Sequence, residues 1–132
     1  MPASVVFKDG KCEEALNYYC KVFNIDFPDN IIRYEEFNEY QYPLDIRHRI
    51  FLSKVNILGT NIYFSDAAND NIIDYGNNVS IVVNTDEENL YNYHYMLKED
   101  SFVIFEPQKR KNLLFTKIID KFNVSWIFVA KI

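Results

Sequence analysis

The run Ala3-Ser4-Val5-Val6-Phe7-Lys8, broken by Asp9-Gly10 and continued by the segment Cys12 to Phe23, decides the fold, because the same pattern returns in the second half of the chain. Its first part is β-rich and short, as a strand should be, and Asp9-Gly10 supplies a break that can cap the segment after it. Its second part sets Cys12, Ala15, Leu16, Tyr19, Val22 and Phe23 at helical spacing, with Glu13 and Glu14 in the first turn, where a helix dipole favours acids. The pattern recurs at Val79 to Asn84, again β-rich. There Thr85-Asp86-Glu87-Glu88 has the capping-box form T-x-x-E and opens a helix with Leu90, Tyr93, His94 and Leu97 on one stripe.

Each strand-helix opening is followed by three more strand signals. In the first half these are residues 31–37, then 50–57 and 61–65 joined across Leu58-Gly59-Thr60, with 38–48 as a polar, Tyr-rich connection. In the second half they lie near 101–106, 112–119 and 124–131, the last two joined by Asp120-Lys121-Phe122-Asn123. The order βαβββ therefore occurs twice. A weak echo accompanies it, Ser53-Lys54-Val55 beside Thr116-Lys117-Ile118. The expected architecture is α+β: one domain over 1–132, with one module at about 1–66, a connector at 67–78 and a second module at about 79–132. The two modules would share a core and form a curved mixed-sheet cup.

Composition agrees with a packed domain. The chain has 132 residues, 48% of them hydrophobic and 25% charged, so it can bury a core and is not disordered. Aromatic residues reach 17%, while glycine and proline number only 3 and 4, which leaves little room for flexible linkers. The net charge of -5 opposes the phosphate neutralisation that a nucleic-acid partner requires. Neither a signal-peptide pattern nor an apolar run of about 18 residues is present, so a cytoplasmic protein with no membrane partner is expected. Cys12 and Cys20 stand eight residues apart on one predicted helix, about 12 Å at a rise of ~1.5 Å per residue, too far to pair as a disulfide. They read as small buried or half-buried hydrophobes.

Strand alternation separates a helix-packed face from a mixed one. A turn at Gly59-Thr60 would set Asn56 opposite Tyr63 and Lys54 opposite Ser65 on the mixed face, with Val55 opposite Phe64 and Ile57 opposite Ile62 beneath the helix. In the last two strands Phe115, Lys117, Ile119, Ser125, Ile127 and Val129 share the mixed face, leaving Ile118, Trp126 and Phe128 under the second helix. A cup curved round that face would be lined by Ser4, Leu52, Ser80 and Ile127 together with the candidate ligand-binding residues Lys54, Asn56, Tyr63, Asn84 and Lys117. A surface part polar and part apolar suits a small organic ligand. A solvated sheet face, or one covered by a dimer partner, fits the same pattern.

Phe7-Lys8-Asp9-Gly10-Lys11-Cys12-Glu13-Glu14-Ala15-Leu16-Asn17-Tyr18-Tyr19 followed by Val22-Phe23 resembles the F-x-G-x-x-x-E-A-x-x-F-Y-x-x-x-F opening of PhnB-like proteins in the vicinal-oxygen-chelate (glyoxalase and bleomycin-resistance) superfamily. Further matches run from Gly59 to Asp66, from Val79 to Asp86 and from Asp120 to Trp126, and so span the chain in order. The resemblance implies paired βαβββ modules forming a cup, a single glyoxalase-like domain and a homodimer. Members of this branch often carry a 3-demethylubiquinone methyltransferase label, but nothing in the chain resembles a Gly-rich loop for S-adenosylmethionine. The superfamily's chemistry uses a divalent metal held by His, Gln and Glu. Its ligand positions fall here on Ser4 or Val5, Ser80 and Ile127, and the third-strand His of PhnB-like proteins falls on Leu52. None of these is a good metal ligand, so no metal and no cofactor are expected. Asn123 replaces the glycine of the family's D-x-F-G turn, and Lys98-Glu99-Asp100-Ser101 replaces the glycine after the second helix.

The remaining constellations are weaker. His94, on an apolar stripe, reads as a packed or hydrogen-bonded histidine. His48, between Arg47 and Arg49, is the one histidine near the resemblance's metal region, and Glu35, Glu36, Glu39 and Asp45 could supply carboxylates. Lys109-Arg110-Lys111 reads as surface charge on the connection between the sixth and seventh strands. The favoured expectation is a metal-free homodimer that binds a small organic molecule in the cup without chemistry. Its alternatives are a metal-dependent lyase, isomerase or dioxygenase with a relocated site at His48, and a non-catalytic interaction module whose cup is filled.

Overall fold

The computed structural model describes residues 3–37, 42–72, 75–76 and 79–132. Its elements are β1 (Ala3–Phe7), α1 (Cys12–Phe23), β2 (Ile32–Arg33), β3 (Ile50–Ile57), β4 (Thr60–Asp66), β5 (Ile81–Thr85), α2 (Glu87–Leu97), β6 (Phe102–Arg110), β7 (Leu113–Ile119) and β8 (Ser125–Lys131), with 3-10 turns at Tyr34–Glu36, Leu44–Ile46 and Asp70–Ile72. Two compact units result, Met1–Asp74 and Tyr75–Ile132. Each contains one helix and one four-stranded mixed sheet, in the orders β1-β4-β3-β2 and β5-β8-β7-β6. In each, the strand before the helix runs parallel to the last strand of its unit, and the remaining pairs are antiparallel. The βαβββ order expected twice is present twice.

In the first unit the stripe Ala15, Leu16, Tyr19, Val22 and Phe23 of α1 is buried together with Phe7, Val55, Ile57, Ile62 and Phe64. Burying each of the larger side chains contributes about 1.5–3 kcal/mol, and this apolar seam joins helix to sheet. The helix begins differently from the sequence expectation. Asp9 and Gly10 both take positive φ (58° and 67°), and the N-cap position belongs to Lys11, which makes no side-chain cap. The amide of Cys12 instead donates to Oδ1 of Asp66 at 2.9 Å, 54 residues away, while Oδ2 of the same carboxylate accepts from Ile50 N–H at 2.9 Å. Asp66, only 2% exposed, thus ties α1, β3 and β4 together.

The β3–β4 hairpin corrects the expected register by two residues. Ile57 pairs with Thr60, so the loop is Leu58-Gly59 rather than Gly59-Thr60, and Lys54 faces Tyr63, Val55 faces Ile62 and Asn56 faces Asn61. Both loop residues have positive φ (49° and 89°), the requirement of a type I′ turn, whose twist matches the flanking strands. An even shift leaves every side chain on its expected face. The second strand is also shorter than 31–37. Only Ile32–Arg33 pairs with β3, after which Glu36 Oε2 accepts from Arg33 N–H at 2.7 Å and the Tyr34 hydroxyl donates to the Asp66 carbonyl at 2.7 Å, turning the chain into a 3-10 helix. Part of the expected 38–48 connection, including Glu39, and part of the 67–78 connector lie outside the described residues.

In the second unit Leu90, Tyr93 and Leu97 of α2 are buried, as are Ile118, Trp126 and Phe128 of the sheet. The strand preceding α2 starts at Ile81 rather than Val79, and Thr85 remains in it, paired with Ala130. Asp86, not Thr85, is the cap, its Oδ1 accepting from Asn89 N–H at 2.8 Å. Asp120 organises the turn before β8: Oδ1 accepts from Phe122 N–H (2.8 Å) and Val124 N–H (3.0 Å), and Oδ2 accepts from the Trp126 indole at 2.9 Å. Asn123 and Asp100 take the positive φ (66° and 57°) for which glycine is the usual choice.

The sixth strand runs on to Arg110 and meets β7 through Lys111-Asn112, so Lys109 and Arg110 belong to a strand rather than to a long connection. Two irregularities interrupt its pairing, between Val103 and Phe105 and between Phe105 and Gln108. They are held from the helix side. Thr116 Oγ1, fully buried on β7, donates to the Phe105 carbonyl at 2.6 Å, lies 3.2 Å from His94 Nδ1, and His94 Nε2 meets Glu106 Oε2 at 3.0 Å. His94 is a packed, hydrogen-bonded histidine.

Candidate functional site

The helix-free face of the first sheet carries three of the five sequence candidates. Lys54 is exposed on β3 and lies on one rung with half-buried Tyr63 of β4 and Ser4 of β1. Asn56 is one rung nearer the hairpin, where its side-chain N–H donates to Asn61 Oδ1 and its Oδ1 accepts from Gly59 N–H, both at 3.0 Å. Its amide is therefore engaged in shaping the turn. The expected pairing of Asn56 with Tyr63 is replaced by Lys54 with Tyr63, because the turn lies one residue earlier.

On the second sheet the helix-free face is a ladder of cross-strand rungs. One rung holds Val82, Ile127, Lys117 and Phe105, and the next holds Asn84, Val129, Phe115 and Gln108. On the other side of Lys117 come Ser125 and Ile119, with Ser80 Oγ hydrogen-bonded to Ser125 Oγ at 2.7 Å. Lys117 is half-buried, and among the described residues no carboxylate lies within ion-pair reach of it. Rungs on one face are spaced by about 7 Å along a strand, so Phe115 and Ile119 flank the lysine within one side-chain length. The Phe105 and Phe115 rings meet edge to face at 6.4 Å. Asn84 lies at the end of this face where a groove of about 660 Å³ opens, lined also by Thr85, Asp86, Leu113, Val129 and Lys131. A second depression of about 360 Å³ lies at the opposite end, against Ile119, Asn123 and Ser125.

Sequence reasoning missed Phe105. Plain alternation from Phe102 puts Phe105 on the helix side, but the first irregularity of β6 spends one extra residue and turns it to the face of Lys117. No local signal announces that shift.

The metal that the sequence resemblance implies finds no fitting donor set. In the second unit the matching positions are Ile127, a hydrocarbon whose cross-strand neighbour is the ammonium of Lys117, and Ser80, whose hydroxyl is committed to Ser125. In the first unit Leu52 lies opposite Ile32, and Ser4 and Val5 opposite Tyr63 and Phe64. A divalent cation is held by carboxylate, imidazole or thiolate ligands, and a lysine beside it repels it. His48 is exposed and touches the fold through its backbone, its carbonyl accepting from Arg33 at 2.7 Å. Glu35, Glu36 and Asp45 are exposed on 3-10 turns, and among the described residues no three of His, Cys, Asp and Glu come together as a metal set. Burial, and then Asp66, push the Cys12 thiol far above its usual range, so it stays protonated and inert.

No family profile and no curated protein matches the sequence. Solved structures do. A PhnB protein from Bacillus cereus superposes with a TM-score of 0.78 at 20% identity, over 98% of both chains. A protein from Pseudomonas aeruginosa gives 0.81 at 19% identity, over 99% of this chain and 96% of its own, and a glyoxalase/bleomycin resistance protein from Albidiferax ferrireducens gives 0.63 at 11% identity, over 98% of both. The resemblance read from the residues at 7–23 is thus met at the level of structure. Its two βαβββ units give this chain the fold of the glyoxalase/bleomycin resistance protein and of the PhnB protein on which it superposes.

Proposed function

We propose that the protein binds a small organic molecule on the helix-free faces of its sheets and breaks no bond in it. The observation that supports this reading is Lys117: a half-buried lysine among Phe105, Phe115 and Ile127 with no described carboxylate partner, a costly arrangement for stability alone and a useful one for holding a ligand. Asn84 supplies a further polar contact on the second sheet; on the first, Lys54 and Tyr63 form a polar patch of their own, Asn56 being held in its turn. One structure of the same fold is named a glyoxalase/bleomycin resistance protein; the model we adopt for this chain is sequestration of the bound molecule. The protein works as a cytoplasmic homodimer; the exposed Phe102 and Ile104 of edge strand β6 favour a covering copy. Among the described residues no helix is long and apolar enough to cross a membrane.

The test is a thermal-shift screen of small organic molecules, followed by recovery of each stabilising compound, metal analysis of the protein and light scattering. A compound that raises the melting temperature and is recovered unchanged from metal-free dimer supports the reading, because a ligand bound to the native state must stabilise it. Consumption of the compound, dependence on a stoichiometric transition metal, or the lack of any stabilising compound overturns it.

A further inference from the structure

The helix-free face of the second sheet differs from the rest of the molecule in charge. The chain carries 19 acidic against 14 basic residues, yet the rungs from Phe102–Ile119 to Gln108–Phe115–Val129–Asn84 contain no carboxylate and one lysine, Lys117. The last rung adds two more cations, Arg110 and Lys131, on either side of Leu113. Asp86, which lines the groove at that end, accepts from Asn89 with both carboxylate oxygens, at 2.8 and 3.3 Å. Three cations thus share one face, none of them with a described ion-pair partner.

Everything else on the face is apolar or uncharged. Lys117 has Phe105 and Ile127 beside it and Phe115 and Ile119 above and below, so its ammonium emerges from a hydrocarbon floor about two rungs long. A cationic ligand would be repelled there. A neutral one would cover the ammonium without replacing the water it displaces, which costs affinity. An anion attached to a flat hydrocarbon satisfies both parts of the surface: the headgroup takes a charge-assisted hydrogen bond from Lys117, and the body lies on Phe115 and Val129 toward the groove at Asn84.

We infer that the ligand of this face is an organic anion, a carboxylate-like headgroup on an aromatic-sized apolar body, with Lys117 as the headgroup contact. The inference rests on the small-molecule reading above and adds to it the sign of charge and the residue that reads it.

Three probes separate the parts: 2-naphthoate, its neutral counterpart 2-naphthylmethanol, and acetate, which has the headgroup alone. Titrations followed by calorimetry and by amide chemical shifts are made on the wild-type chain, on Lys117→Met, which keeps the length and apolar stem, and on Lys117→Arg, which keeps the charge. Melting curves of the variants establish that each is folded. The expected result is naphthoate binding at least about tenfold tighter than naphthylmethanol to wild type, loss of that preference in Lys117→Met, and its retention in Lys117→Arg, with shifts centred on β7 and β8. Equal affinity of naphthoate and naphthylmethanol, or a naphthoate affinity unchanged in Lys117→Met, overturns the anion assignment while leaving the small-molecule reading standing. Acetate binding as well as naphthoate overturns the apolar body. Should neither naphthyl compound bind, the anion-on-an-aromatic-body assignment is overturned, while the small-molecule reading still stands or falls on the thermal-shift screen.

Discussion

Lys117 and Ile127 face each other across the β7–β8 ladder, the cation on one strand and, on the other, a hydrocarbon at the position where the sequence resemblance calls for a metal-binding side chain. The pairing makes the centre of the second sheet unsuited to a divalent cation and suited to a negative group. It also implies a cost. A lysine half-buried among Phe105, Phe115 and Ile119 gives up hydration that no described partner restores.

Replacing Lys117 by methionine should therefore stabilise the protein. The expected gain is about 0.5–1 kcal/mol, a rise in melting temperature of roughly 2–4 °C, the exchange of stability for function common at binding sites. Thermal unfolding with and without 2-naphthoate checks it, since the variant should also lose the ligand's stabilising increment.

Leu58 occupies the first loop position of a two-residue type I′ turn with φ 49° and is exposed. Asparagine takes that conformation at less cost than leucine, so Leu58→Asn should add about 0.5–1 kcal/mol. Chemical denaturation reads the change as a higher midpoint with an unaltered slope.

Thr116 is fully buried, and its hydroxyl holds both the Phe105 carbonyl and His94. Thr116→Val keeps the volume but leaves those two groups unmet, at a cost of about 1–3 kcal/mol. Because that hydroxyl pins the irregularity that presents Phe105 to Lys117, amide exchange in β6 should speed up more than in β8, and naphthoate binding should weaken.

Two carboxylates give opposite pH dependence. Burial raises the Asp66 carboxyl above the usual carboxylate range, although the amides of Ile50 and Cys12 and the guanidinium of Arg49 pull it back in part. A proton held more tightly in the folded state stabilises it below about pH 3.8, and that contribution is lost as pH rises through the folded value. The cost of Asp66→Asn should accordingly be larger near pH 4 than near pH 7. Asp70 is lowered, chiefly by its hydrogen bonds from Arg49 at 2.7 and 3.1 Å, so its contribution is present above pH 3.8 and lost as pH falls through the lowered value. Asp70→Asn should remove an acid-side loss of stability, and urea titrations from pH 3 to 7 separate the two.

The helical stripes at 12–23 and 90–97 and the side on which each residue of β3, β4, β7 and β8 lies could be read from the residues, because 3.6- and 2-residue periods are local properties. The register of the β3–β4 hairpin could not: it depends on whether Leu58 accepts a left-handed conformation, and alternation is blind to a shift of two. The cap of α1 lay beyond reach for a different reason. Its acceptor, Asp66, is 54 positions from Cys12 and becomes a cap only when β4 has docked.

Of the candidate ligand contacts, Lys54, Tyr63, Asn84 and Lys117 were readable as one face each of two amphipathic sheets. That Asn56 is occupied in its own turn, and that Phe105 joins Lys117, were not.

What the sequence alone determined is therefore the order of elements, their doubling, the two helix-packed faces and the hydroxyl and hydrocarbon side chains that stand at the positions the resemblance gives to a metal. Each follows from periodicity or from side-chain chemistry, which a residue carries wherever it is placed. Tertiary structure decided which groups meet: Asp66 with the amides of Cys12 and Ile50, Thr116 with Phe105 and His94, and Lys117 with an aromatic neighbour from a bulged strand. Those meetings depend on loop conformations and ladder registers, small local energies that are settled only when the whole of each sheet closes upon its helix.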